Sequence, residues 1–248
     1  VSGIDEAERA TASYRECLVA IDQAGLDANI SIKLTQLGMG LDDEVAATNL
    51  DELAGAAAEI GRSVTVDMEE SRHTQATIDI YERVQREHGN VGIAVQSYLR
   101  RTAEDLQRII STGGHVRLCK GAYAEPQDVA FQSKADVDAS FDALAATLMR
   151  ATGVTPAIAS HDDARLTPVL ALGEHRSGPW EFQMLYGVRR DRQRELVRAG
   201  HRVRIYVPYG SAWYPYFSRR LAERPANLTF FAEPCLAVEG LRCGTWTV

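Results

Sequence analysis

Cysteine is scarce in this chain. Cys17, Cys119, Cys235 and Cys243 form no CxxC pair, so neither a disulfide framework nor a zinc knuckle is expected. Reduced thiols of that kind fit a cytoplasmic compartment. Lysine is scarcer still: of 27 basic residues all but Lys33, Lys120 and Lys134 are arginine, which suggests that each lysine has a task that arginine cannot do. No apolar run approaches the roughly 20 residues that cross a bilayer. Residues 1–12 carry neither the basic nor the apolar stretch of a secretory leader. A net charge of −7 leaves no basic excess to hold DNA or RNA, so nucleic acid is not an expected partner.

Several catalytic signatures are also missing. There is no P-loop, HExxH or GxSxG, and no histidine pair at metal spacing. No metal is expected. His73, His88, His115, His175 and His201 fall in stretches read as helical or connecting and look like surface residues, whereas His161 directly follows a predicted strand.

What is present is alternation. Short β-branched or apolar runs at 30–34, 64–68, 91–98, 116–119, 155–159, 181–185 and 203–207 predict seven strands. Helical periodicity fills 4–24, 43–60, 71–88, 102–111, 133–151, 162–172, 189–199 and 212–223. Thr102 with Asp105 reads as a helix start, and Gly61, Gly89, Gly153 and Gly200 read as helix stops. The order is α(βα)7, a pattern for a parallel sheet covered by helices. A doubly wound open sheet and a (βα)8 barrel lacking its first strand both fit. The barrel is favoured, because no GxGxxG follows the first strand and polar residues recur at the strand ends, where a barrel keeps its chemistry.

Those strand ends supply Lys33; Asp67 with Glu69 and Glu70; Gln96 and Tyr98; Arg117 and Lys120; Ser160 and His161; Gln183; and Tyr206. In the predicted last helix Tyr216, Arg219, Arg220 and Glu223 fall at i, i+3, i+4 and i+7. Two guanidinia beside a tyrosine could grip a small carboxylate. Periodicity does not decide, and on this helix alone a solvated face with an ordinary Arg and Glu pairing is the favoured reading.

Eight segments in order carry a resemblance that spacing does not show. They are Ser31-Ile32-Lys33-Leu34, Val66-Asp67-Met68-Glu69-Glu70, Val95-Gln96-Ser97-Tyr98, the run from Val116 through Arg117, Cys119 and Lys120 to Tyr123, Ala159-Ser160-His161-Asp162, the run from Glu181 through Gln183 and Leu185 to Gly187, Arg204-Ile205-Tyr206, and Arg219-Arg220-Leu221-Ala222-Glu223. Together they resemble the monofunctional proline dehydrogenases. The resemblance implies a distorted (βα)8 barrel that holds FAD, oxidises L-proline to 1-pyrroline-5-carboxylate and passes electrons to a membrane quinone. That acceptor implies a peripheral place at the inner face of the membrane. The chain is too short for a second aldehyde-oxidising domain, so a separate pyrroline-5-carboxylate dehydrogenase is expected as its partner in the pathway.

By the same resemblance Arg219, Arg220 and Lys33 would pair the proline carboxylate, with Asp67 holding Lys33 in place. Tyr206, Tyr216, Leu185 and Ala122 would pack the pyrrolidine ring. Gln96, Arg117, Lys120, Gly121, Tyr123, Lys134, Ser160, His161 and Glu223 would contact FAD. The family pattern extends over residues 1–231 and adds one strand upstream of the first seen here, while 232–248 look atypical. Alternative readings are hydroxyproline oxidation, against which Tyr206 counts, a Schiff-base aldolase built on Lys120, and a non-catalytic barrel that binds a metabolite or partner.

Overall fold

The computed structural model describes residues 1–210. The chain divides into two compact units, Val1–Gln183 and Met184–Val248.

In the first unit a helix, α1 (Ile4–Gln23), precedes an alternation of parallel strands and helices. In order these are β1 (Ile30–Ile32), α2 (Asp43–Glu59), β2 (Val64–Val66), α3 (Thr74–His88), β3 (Val91–Gln96), α4 (Thr102–Thr112), β4 (Gly114–Cys119), α5 (Lys134–Arg150), β5 (Val154–Ala159), α6 (Asp163–Gly173) and the start of β6 (Glu181–Leu185). The strands follow one another in sequence order, and the pairs from β1 through β6 are parallel. The second unit carries the end of β6, α7 (Arg190–Arg198) and β7 (Val203–Tyr206). There the Tyr186 N–H donates to the Tyr206 carbonyl at 3.0 Å.

This α/β, barrel-type order matches the predicted α(βα)7 through its seventh strand. The predicted helix at 212–223 lies outside the described residues. The expected glycine stops hold, since Gly61, Gly89, Gly153 and Gly200 all take positive φ. Three helix starts are capped by side chains. The Asp42 carboxylate accepts from the Glu44 and Val45 amides, Ser133 accepts from Asp136, and Asp162 accepts from Ala164.

Several local readings need correction. The strands read as 30–34, 64–68 and 91–98 end at Ile32, Val66 and Gln96, and Leu34–Leu37 tightens into a 3-10 turn. Thr102 caps nothing: its hydroxyl donates to the Gln96 carbonyl at 2.6 Å, and Asp105 pairs instead with Arg101 at 2.7 Å. His115 is not in a connecting stretch but in β4, only 18 % exposed at its side chain.

Strand alternation gives the sheet two unlike faces. One face presents Ile30, Ile32, Val64, Val66, Val91, Ile93, Val95, Val116, Leu118, Ile158 and Phe182, all buried. Each such side chain contributes on the order of 1.5–3 kcal/mol on burial. Helices supply the other half of this apolar layer, for example Leu50 and Leu53 of α2 and Phe141 of α5.

The opposite face is polar. The register aligns Ser31 with Thr65, Thr65 with Gly92, Ala94 with Arg117, Gln96 with Cys119, Ala157 with Glu181 and Ala159 with Gln183. Arg117 shows that this face is concave. On a flat sheet β4 and β1 would lie three strand spacings apart, about 14 Å, beyond the reach of one arginine. Yet Arg117 Nη1 donates to Ser31 Oγ at 2.9 Å while Arg117 Nε donates to Gln183 Oε1 on β6 at 2.5 Å. A single side chain touches both flanks because the sheet curls around it.

Candidate active site

The concave face is built from large side chains on β4 set between small ones on its neighbours. Gly92 and Ala94 on β3, and Ala157 and Ala159 on β5, leave room for His115 and Arg117. At Gly92 this room is obligatory, since a Cβ there would stand 2.6 Å from the His115 carbonyl.

Asp67 lies at the hub. Its carboxylate accepts from Ser31 Oγ at 2.8 Å, pairs with Lys33 Nζ at 3.1 Å and contacts Arg117 Nη1. Burial opposes ionisation of this group, but the charges of Lys33 and Arg117 and the Ser31 hydrogen bond outweigh it. Its pKa is therefore held below the usual carboxylate range. Lys33 remains one-third exposed at its side chain, whereas Arg117 is 7 % exposed. Of the two cations on Asp67, Lys33 is the one that can meet a ligand without leaving a buried position.

A second charged cluster lies where β4 and β5 run into α5 and α6. Lys120 Nζ reaches Asp138 at 2.5 Å and Asp162 at 3.0 Å, Lys134 also pairs with Asp138, and Arg165 Nη1 stands 3.0 Å from Asp138. Burial pushes the Asp138 carboxyl up, but hydrogen bonds from Lys120 and Lys134 prevail and bring it to about 2. Asp162 thus does two things at once, capping α6 through Oδ1 and holding Lys120 through Oδ2. The aldolase alternative finds no support here, because Lys120 stands between two carboxylates like an ion-paired cation. Ser160 is buried, with Oγ accepting from the Asp162 amide, and His161 is half-buried beside it.

The segment after β4 carries Gly121, Ala122 and Tyr123. Gly121 adopts φ +106°, and a Cβ on it would lie 2.2 Å from the Tyr98 ring, so only glycine fits. Ala122 is exposed and Tyr123 half-buried. Further along, the Glu125 carboxylate accepts from the Ser71 amide and hydroxyl, both at 2.6 Å, joining this segment to the one after β2. At the end of β3, Gln96 is 3 % exposed; its Nε2 donates to the Met68 carbonyl, while its Oε1 is buried without a partner among the described residues.

In the second unit Leu185 and Tyr206 sit at the ends of β6 and β7, both half-buried. Tyr216, Arg219, Arg220 and Glu223 lie outside the described residues. The structure thus joins Lys33, Asp67 and Arg117 in one network and Lys120 with Lys134 in another. Sequence reasoning missed His115 and Glu181, which meet at 3.2 Å across the concave face. It also missed a group of Asp51, Glu87 and His88 in the helix layer, whose ligand atoms lie within 4.8 Å of one another.

No helix among the described residues is long and apolar enough to cross a membrane. A family model for proline dehydrogenase matches residues 1–233. Proline dehydrogenase 1 of Bacillus subtilis subsp. natto is 41% identical over 229 residues, covering 91% of this chain and 75% of its own length. The proline dehydrogenase of Deinococcus radiodurans is 38% identical over 226 residues, covering 88% and 72%. Among solved structures, proline utilization A of Bdellovibrio bacteriovorus, inactivated by N-propargylglycine, superposes with a TM-score of 0.82 at 25% identity. That match takes in 90% of this chain and 29% of the other, so this chain spans under a third of that larger protein.

Proposed function

The chain belongs to the proline dehydrogenase family, and from that premise we propose that it is an oxidoreductase that takes L-proline to 1-pyrroline-5-carboxylate, with FAD in the site and a membrane quinone as the final acceptor. The single observation that carries this reading is the Lys33–Asp67–Arg117 network on the concave face, because it offers a cation to a carboxylate substrate at a site framed by buried polar groups.

Two features fit a flavin. The unpartnered buried Gln96 Oε1 is an acceptor suited to an imide N–H such as a flavin ring carries, and leaving it unmet in a folded protein costs about 1–3 kcal/mol. Lys134, 75% exposed at its side chain, is a cation that a pyrophosphate could draw. Gln96, Arg117, Lys120, Gly121, Tyr123, Lys134, Ser160, His161 and Glu223 are assigned to hold FAD by the family resemblance. Bound there, FAD would supply the two-electron acceptor for the hydride leaving C5 of proline.

The residues of the chain bind and orient. Lys33 pairs the proline carboxylate, joined by Arg219 and Arg220, each charged hydrogen bond contributing on the order of 1.5–3 kcal/mol. Asp67 keeps the Lys33 ammonium in position. Ala122, Leu185, Tyr206 and Tyr216 pack the ring, so that its C5 hydrogen is presented in one orientation. Catalysis by the protein rests on that fixed approach, which removes orientational freedom before reaction. Quinone reduction places the working enzyme against a membrane. The product is the substrate that a pyrroline-5-carboxylate dehydrogenase would take.

The test is turnover of the FAD-loaded protein with proline, a soluble dye acceptor and a reagent that traps the cyclic imine. Proline-dependent dye reduction with stoichiometric imine supports the reading. Dye reduction with hydroxyproline but not proline would replace it with the hydroxyproline alternative, and no turnover with either would overturn it.

A further inference from the structure

The network on the concave face does not end at Arg117. Arg117 Nε donates to Gln183 Oε1 at 2.5 Å, and the Gln183 Nε2 donates in turn to Glu181 Oε1 at 2.8 Å. The same Glu181 oxygen lies 3.2 Å from His115 Nε2. Glu181, Gln183, His115 and Arg117 are 3 %, 4 %, 18 % and 7 % exposed, the value for His115 being that of its side chain, so these contacts are made away from bulk water.

The order of groups has a chemical direction. A carboxylate only accepts and a guanidinium only donates, while a glutamine amide does either, depending on which end it turns. With Glu181 on one side and Arg117 on the other, only one orientation satisfies both: NH2 toward Glu181, oxygen toward Arg117. Neither fixed partner contributes a group that would accept the reverse. Removing the negative charge at position 181 frees the amide to turn over, and a reversed amide would set its donors against the Arg117 N–H.

We propose that Glu181 is a positioning residue: acting through the Gln183 amide, it fixes the Arg117 guanidinium on Asp67 and so sets the Lys33–Asp67 pair that meets the substrate. His115, on the same strand as Arg117, braces Glu181 from the other side. The inference rests on the proline dehydrogenase reading, yet concerns side chains that this reading leaves without a task.

The experiment compares the FAD-loaded wild type with Glu181→Gln, Glu181→Asp, Gln183→Leu and the Glu181→Gln/Gln183→Leu double variant, measuring kcat and KM for proline, the visible flavin spectrum and the Nε–H signal of Arg117 in nitrogen-15 NMR. Glu181→Gln is expected to lower kcat/KM by about tenfold, the value of one orienting hydrogen bond, and to move the Arg117 signal. Glu181→Asp, which keeps an acceptor-only group, should retain more activity than Glu181→Gln. The double variant should be no worse than Gln183→Leu alone, because Glu181 acts through Gln183. Losses that multiply in the double variant, equal activity of the Asp and Gln variants, or an unmoved Arg117 signal would overturn the proposal. If Glu181→Gln purifies unfolded, the Glu181→Asp and Gln183→Leu comparison with wild type still decides it through the Arg117 signal. A wild type inactive on proline would instead remove the functional reading, while the Arg117 signal would still report the coupling.

Discussion

Arg117 of β4 is in ion-pair contact with Asp67 across the whole width of β3. Only a strand with small residues on its inner face, Gly92 and Ala94, permits that bridge, and the bridge joins the centre of the curled sheet to the cation at its mouth, Lys33.

Asp67→Asn should therefore be costly. It leaves two cations beside a neutral amide, and breaking a buried pair from one side typically costs about 3 kcal/mol or more. The pKa of Asp67 is lowered in the folded state, so its contribution to stability is present above the ordinary carboxylate range and fades as pH falls through the lower folded value. Denaturant unfolding from neutral to acid pH should show a steeper loss for wild type than for Asp67→Asn, and parallel curves would contradict this assignment.

Asp138 offers a similar test at the second cluster. Its carboxyl titrates at about 2 in the fold against 3.8 ordinarily, a difference that is worth about 2 kcal/mol at neutral pH. That stability is lost as pH drops from about 4 toward 2. Melting of Asp138→Asn should be lower than wild type at neutral pH and converge with it in acid.

Gly121→Ala should disturb the segment that follows β4, since the new methyl meets the Tyr98 ring and the backbone sits at φ +106°. The expected penalty is about 1–3 kcal/mol of strain, with weaker FAD retention. Fluorescence titration with FAD beside a thermal melt measures both; wild-type values in each would mean that the segment tolerates displacement.

Lys33→Met and the two conservative replacements Arg219→Lys and Arg220→Lys should raise the KM for proline at least tenfold, because a charge or a two-pronged geometry for the carboxylate is lost. Steady-state kinetics over a wide proline range will show it, and unchanged KM in all three would remove the carboxylate assignment.

Much of the fold was legible in the sequence. The seven strands announce themselves because their outward faces are β-branched or apolar, as in Val64, Val66, Ile93 and Leu118, and glycines mark the helix ends. The start of β4 was hidden, since Gly114 and His115 are neither β-branched nor apolar and the expected strand began only at Val116, and that concealed His115. Lys33 and Asp67 stood out as polar residues at strand ends. Glu181 did not, because its meaning depends on β4 and β6 closing over the small residues of β5, a long-range contact that no local period encodes. The pairing of Lys120 with Asp138, 18 positions further along the chain, was equally out of reach, although Lys134 meets the same carboxylate at the local i, i+4 spacing.

The most direct measurement is the visible absorption spectrum of the FAD-loaded chain before and after anaerobic addition of proline. Bleaching of a protein-bound flavin band, with one cyclic imine formed per flavin reduced, is the predicted result. A chain that binds no flavin, or a bound flavin whose spectrum proline leaves unchanged, would contradict the account.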